Sequence, residues 1–151
     1  MGIANIGLVK ANHRRFREGL RDAVHQELNS AGIYGLHWVD NHPHFKPQTG
    51  ALQKATKFKL AMGMRGGKVS WTNALPYANA IDHGARHHTI TARVAPFLHF
   101  FWVKAGHWVR TKSVNHPGNK PYSFLWDAWQ RSSDRFLERM RVRMAALASR
   151  F

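Results

Sequence analysis

The 151-residue sequence contains no cysteine. That excludes a disulfide scaffold, cysteine zinc fingers, iron–sulfur ligation and thiol nucleophiles together. Acids are almost as scarce, with 8 Asp and Glu against 23 Lys and Arg, a formal net charge of +15. A hydrolytic pair of carboxylates is hard to assemble from so few. No apolar run approaches the ~18 residues of a membrane span. The longest candidate, Val94 to Val103, is short and holds His99. Met1–Val9 has neither a basic n-region nor a long apolar stretch, so no signal peptide is expected.

What is present is enough for a fold. Hydrophobic residues make up 44% and aromatics 12%, with 6 Trp, which argues against wholesale disorder. The length suits one domain, 1–151. The excess charge is not in a tail. Lys10 to Leu28 mixes its basic residues with Glu18, Asp22 and Glu27, and Asp127 to Phe151 mixes its arginines with Asp127, Asp134 and Glu138. Between Asn41 and Pro121 the only acid is Asp82. A charge carried inside folded sequence points to a basic face and an anionic neighbour.

Periodicity predicts an N-terminal helix over about 8–29. Phe16, Leu20, Ala23, Val24 and Leu28 recur at three- and four-residue steps. Asn29-Ser30-Ala31-Gly32 reads as its stop, followed by an irregular stretch to Pro47. Thr49 is a candidate N-cap for a short helix at Gly50-Ala51-Leu52. The β region runs over about 57–114. In its first strand Phe58, Leu60, Met62 and Met64 alternate with Lys57, Lys59, Ala61 and Gly63. After a turn at Arg65-Gly66-Gly67 the chain returns with Val69 and Trp71 on the apolar side. Tyr77–Ile81 suggests a helical turn closed by Gly84. Phe97–Val103 and His107–Val114 form a second hairpin around Lys104-Ala105-Gly106. The last helix covers about 122–150, with Pro121 in its first turn. It carries an apolar stripe (Leu125, Ala128, Trp129, Phe136, Met140, Met144, Leu147) and a basic one (Arg131, Arg135, Arg139, Arg143). The expected class is α+β: long N- and C-terminal helices packed on a small antiparallel β-sheet with a hairpin insertion.

Catalytic constellations are thin. His42-Pro43-His44 has only Asp40 nearby, and His87-His88 only Asp82, too few ligands for zinc. Gly32-Ile33-Tyr34 matches half of the GIY-YIG nuclease signature, but the second tripeptide is missing and no Glu lies between Glu27 and Glu138. No Gly-x-Ser-x-Gly or phosphate-loop pattern is present. No enzyme activity, metal or cofactor is expected. Phe97, Phe100, Phe101, Trp102 and Trp108 interleave with basic residues, as on a stacking platform for single strands, yet read better as the core of a small β layer.

Four blocks together carry a resemblance. Phe45-Lys46-Pro47-Gln48-Thr49-Gly50-Ala51-Leu52 resembles the Pro-x-x-Thr-Gly-x-Leu segment of phage tail-completion proteins, the head–tail joining or neck proteins of long-tailed bacteriophages. Tyr77-Ala78-Asn79-Ala80-Ile81-Asp82-His83-Gly84 is similar to their Tyr-Ala-x-x-Val-Glu-x-Gly block, with Asp82 in the acidic place. Ile90–Arg93 through Leu98-His99-Phe100 and Val109 resembles a hairpin insertion seen in many members. His116-Pro117-Gly118-Asn119-Lys120-Pro121-Tyr122-Ser123-Phe124-Leu125 resembles a block that leads into the last helix. Order and spacing fit over nearly the whole chain, although the loop Gly35–His44 is longer than usual.

The resemblance implies a structural virion protein forming or joining a ring, six copies by tail symmetry. Its neighbours would be a connector or stopper and a tail-tube or terminator protein, with genomic DNA crossing the channel and no membrane. The motif residues have fold roles rather than catalytic ones. Lys57 and Lys59, with Lys68, Lys104, Arg110 and Lys112, are the candidates for facing nucleic acid or acidic partners. The alternative is a sequence-independent nucleic-acid-binding module. The charge makes a direct prediction: the isolated protein gains thermal stability from low to moderate salt, because screening over ~8–10 Å weakens self-repulsion. A melting midpoint that stays flat across that range contradicts it.

Overall fold

The computed structural model describes residues 6–41 and 50–150. Pro47, Thr49 and the His42/His44 pair, with the motif, N-cap and metal expectations placed on them, lie outside those residues. The class is α+β, as expected. The elements run α1 (Ile6–Asp40), α2 (Ala51–Ala55), β1 (Thr56–Gly63), β2 (Gly66–Asn73), α3 (Ala78–His83), β3 (His88–Thr91), β4 (Leu98–Trp102), β5 (His107–Thr111), β6 (Ser113–His116) and α4 (Phe124–Ala148). Among the described residues the strands make three two-stranded antiparallel ribbons, β1–β2, β3–β6 and β4–β5, in place of the one sheet expected. The chain divides into two compact units, Met1–Pro76 with Phe124–Phe151, and Tyr77–Ser123.

In the first unit, α1 does not stop at Asn29–Gly32 but continues to Asp40. Gly32 and Gly35 are buried points of close approach rather than helix ends. A Cβ on Gly32 would lie 2.3 Å from the Phe58 ring, and one on Gly35 2.5 Å from the Trp71 ring. Trp71 Nε1 donates to the Gly32 carbonyl at 3.1 Å. Each glycine costs a helix about 1 kcal/mol relative to Ala. Packing two aromatic rings against the bare backbone offsets that cost. The irregular segment expected after Gly32 is therefore helical up to Asp40, and Gly32-Ile33-Tyr34 sits on a helix, not on a nuclease strand.

The β1–β2 ribbon follows the predicted alternation. Phe58 opposes Trp71 and Leu60 opposes Val69. Its turn is Met64-Arg65, closed by the Gly63–Gly66 pair, one step earlier than expected. Met64 accordingly leaves the apolar face and is fully exposed. Before the ribbon, Gly50 occupies the N-cap position of α2 with φ 68, and no side chain caps the helix there. Leu52 is buried, and its carbonyl accepts from Thr56 Oγ1 at 2.9 Å and Asn73 Nδ2 at 2.7 Å, tying α2 to both strands.

The two long helices run antiparallel. A Cβ on Gly19 would lie 2.8 Å from Leu147, while Glu27 meets Arg139 and Arg143 further along. The arginines expected to form a basic stripe face α1. Arg131 lies 4.0 Å over the Trp38 ring and Arg135 4.7 Å over the Tyr34 ring. Arg139 donates to Glu27 through Nε and, at 3.2 Å, through Nη2. Arg143 pairs with the same carboxylate and donates to Gln26 Oε1 at 2.7 Å. Glu27 is 1% exposed, the two arginines 42% and 40%. The Arg139 hydrogen bond holds its carboxyl below the usual range, against the opposing effect of burial, with Arg143 adding in the same direction. The apolar stripe of α4 is less complete than predicted: Ala128 is buried, but Trp129 is exposed. The helix begins at Phe124, not 122, and Pro121 falls outside its first turn.

A carboxyl lowered in the folded state stabilises it above the unfolded value near 4.5, and that stability is lost as pH falls through the folded value. Glu27→Gln is expected to cost about 2 kcal/mol at pH 7, the net worth of charged hydrogen bonds whose cationic partners still reach water. The gap between the two proteins, read from urea unfolding, closes as pH drops below about 4.5. A gap that is constant from pH 7 to pH 3 contradicts the assignment.

Candidate functional site

The first cationic face comes from strand register. On β1 and β2, Lys57, Lys59 and Ala61 oppose Thr72, Ser70 and Lys68, so Lys57, Lys59 and Lys68 share one face of the ribbon. All three are exposed. The opposite face carries Phe58, Leu60, Val69 and Trp71 and packs on α1. The face predicted from the alternation is thus assembled, with Lys68 on it.

Sequence reasoning missed a second basic feature in the same unit. Arg14, Arg17 and Arg21 of α1 and Arg65 of the ribbon turn surround a cleft of about 460 Å³ floored by Leu20, Val24 and Met62. Glu18 is the only acid in its lining, and none of the four guanidinium groups has an ion-pair or hydrogen-bond partner among the described residues. The three helical arginines were legible as a stripe; only the fold adds Arg65. Nearby, Leu28, Val69, Trp71, Trp129, Phe136 and Leu137 line an open apolar groove of about 350 Å³. Trp126, Trp129, Leu137 and Val142 of α4 remain exposed.

In the second unit, two of the blocks behind the resemblance are laced together. The last carbonyls of a helix have no partners within it. Here Asn119 Nδ2 donates to Ala80 O at 2.9 Å, Tyr122 N–H to Ile81 O at 3.0 Å and Ser123 N–H to Asp82 O at 2.9 Å. Ala85 and Asn119 exchange backbone bonds at 3.0 and 2.9 Å. The segment His116–Ser123 therefore closes the end of α3. That use of its backbone explains why Pro121 packs on Gly84 instead of opening α4; a Cβ on Gly84 would lie 2.9 Å from Pro121 N. Gly118 has φ 83, a Cβ there would lie 2.1 Å from Ala85 O, and its N–H donates to His116 Nδ1 at 3.1 Å. Ala78 and Asp82 are buried, Asp82 lying 3.5 Å from His83 Nδ1. Lys120 is exposed.

The β4–β5 hairpin forms where expected, with Lys104 in its turn. β5 ends at Thr111, and the chain passes Lys112 into β6, which pairs with β3 rather than prolonging the hairpin. The Lys112 carbonyl accepts from Ala92 N–H at 3.0 Å, fixing that crossing. Arg110 lies 4.3 Å over the Phe97 ring. Phe97 and Phe100 are half-buried, but Phe101, Trp102 and Trp108 are exposed, against the core reading of that segment. The second unit thus holds Lys104, Arg110 and Lys112 on one ribbon and its connection, and the first unit holds the lysine face.

Among the described residues no group of three His, Asp or Glu side chains is arranged to hold a metal ion. His88 pairs its ring with His116 at 5.1 Å and engages Arg86 O through Nδ1 at 2.8 Å. No described helix is long and apolar enough to cross a membrane. Comparison with protein-family models, curated proteins and solved structures finds no match to this chain.

The lacing predicts that Gly118→Ala destabilises the second unit by about 1–3 kcal/mol, from positive-φ strain and overlap with Ala85. Hydrogen exchange would show amides of α3 and of Tyr122–Ser123 losing protection together. Loss confined to residue 118 and its neighbours contradicts a coupled cap.

Proposed function

We propose that this chain is a structural virion protein of the phage neck, forming or joining a ring of six copies between head connector and tail tube, in tail completion or termination. It is made in the host cytoplasm and carried in the virion. It has no catalytic role and no cofactor. A connector or stopper protein and a tail-tube or terminator protein are its neighbours, and genomic DNA crosses the ring.

One observation above all supports this reading. The Tyr77–Gly84 and His116–Leu125 blocks carry separate parts of the resemblance, and residues of the two meet through bonds to three successive α3 carbonyls and the Ala85–Asn119 bridge. The open apolar groove, the exposed aromatic residues of α4 and the four-arginine cleft suit a protein whose surface is completed by apolar and acidic neighbours. The lysine face suits sequence-independent contact with phosphates.

Mass measurement combined with negative-stain imaging beside tail tubes and connectors tests the reading. Rings or capped tube ends are expected. A monomer that binds DNA tightly at ~0.15 M salt and caps no tube overturns it in favour of a sequence-independent nucleic-acid-binding module. Reversing Lys57 and Lys59 to Glu is expected to lower particle yield or DNA retention; unchanged values reject the role of that face.

A further inference from the structure

Between Tyr77 and Ser123 the chain has six Lys or Arg (Arg86, Arg93, Lys104, Arg110, Lys112, Lys120) and one acid, Asp82. That acid is 6% exposed, so the Lys, Arg, Asp and Glu charge this unit presents to water is overwhelmingly positive. Charge alone calls for an anionic ligand and leaves its kind open. The β4–β5 ribbon narrows it.

Strand alternation puts residues 99, 101, 108 and 110 on one face, with His99 opposite Arg110 and Phe101 opposite Trp108. The rings hold each other. His99 lies 4.9 Å from Trp108 at 31°, and Phe101 meets Trp108 edge-on at 5.6 Å and 70°. Even so, Trp108 is 64% and Phe101 46% exposed. Leaving these rings in water forgoes the stabilisation that burial gives an aromatic side chain. Holding them in place by neighbours lowers the ordering cost of binding something flat. Arg110 at one end of the face and Lys104 in the turn at the other supply cations within reach of the same ligand.

A ligand that matches rings flanked by cations has flat π-faces strung on an anionic chain. That describes single-stranded nucleic acid, in which each base has an open face and each link a phosphate. A duplex hides the base faces and offers phosphates alone. A lipid surface would be met by the tip residues Trp102 and Val103 rather than by the face of the ribbon. We propose that the exposed face of the β4–β5 ribbon, built on Phe101, Trp108 and Arg110, binds single-stranded nucleic acid by base stacking. This does not depend on the neck reading: tube capping and oligonucleotide binding are separate assays, and either can fail alone.

The test uses the full chain, a labelled oligothymidine and a duplex of equal length, with anisotropy read at ~0.15 M salt, where nonspecific phosphate contacts are weakened. The single strand is expected to bind tighter than the duplex. Trp108→Ala weakens single-strand binding about tenfold and leaves duplex binding unchanged, in line with the loss of one stacked base. Trp108→Phe restores most of it. Arg110→Gln weakens both ligands and reduces the salt dependence. Circular dichroism checks that each variant is folded; if Trp108→Ala is not, Phe101→Ala and quenching of Trp emission by oligothymidine in the unaltered protein provide the readout. Equal affinity for the two nucleic acids with no effect of Trp108→Ala overturns the proposal and leaves charge alone. Binding to vesicles of anionic lipid that Trp102→Ala abolishes, with no oligothymidine binding, overturns it in favour of a membrane contact.

Discussion

Glu27 has almost no contact with water, and a carboxylate in that position must be matched by cations or lose its charge. Arg139 and Arg143 match it from the facing helix, and only one alignment of α1 on α4 brings both to it. Much else in the first unit follows from that alignment. At the same four-residue step, Arg135 falls on Tyr34 and Arg131 on Trp38. Each guanidinium receives a partner that suits a planar cation, a carboxylate or the face of a ring. With α4 holding one side of α1, Gly32 and Gly35 are left to take the rings of Phe58 and Trp71. The ribbon then lies with its apolar face inward, and its lysines have no direction left but outward.

The second unit is held differently. Ala78 is its only buried apolar residue among those described, so packing contributes little. Backbone groups take over: a six-residue helix is closed by a segment more than thirty residues downstream, and short ribbons extend from that closure. Small units with little core are stabilised by such satisfied polar groups or by neighbours, and the exposed Phe101, Trp102 and Trp108 leave room for the latter. The contrast separates a unit packed around two long helices from a laced loop structure that carries the exposed rings.

Period-two patterning made the ribbons readable from sequence, because a strand half-buried on one face leaves its alternation in the residues themselves. The Lys57, Lys59 and Lys68 face follows directly. The helix stop expected at Asn29–Gly32 is absent because glycine serves two purposes, ending a helix or letting a ring approach it, and the rings come from residues 58 and 71. The four arginines of α4 resembled a solvent-facing stripe since their partners lie on α1, roughly a hundred residues away. Pro121 suited a helix start, but its neighbours' N–H groups were needed by α3. The aromatic hairpin misled for another reason: composition cannot tell a ring that fills a core from one kept in water.

The antiparallel register has a consequence for how the molecule breathes. Gly19 lies level with Leu147, close to the end of α4, so α1 runs on for about 20 Å past that point toward Ile6. A helical stretch of that length is marginal in water on its own and depends on what it packs against, the Met62–Gly66 end of the ribbon across the cleft among them. Amides beyond the overlap with α4 are expected to exchange faster than those around Glu27, which open only when the helix pair separates. One continuous helix thereby spans two environments, paired with α4 around Glu27 and bordering the four-arginine cleft beyond it.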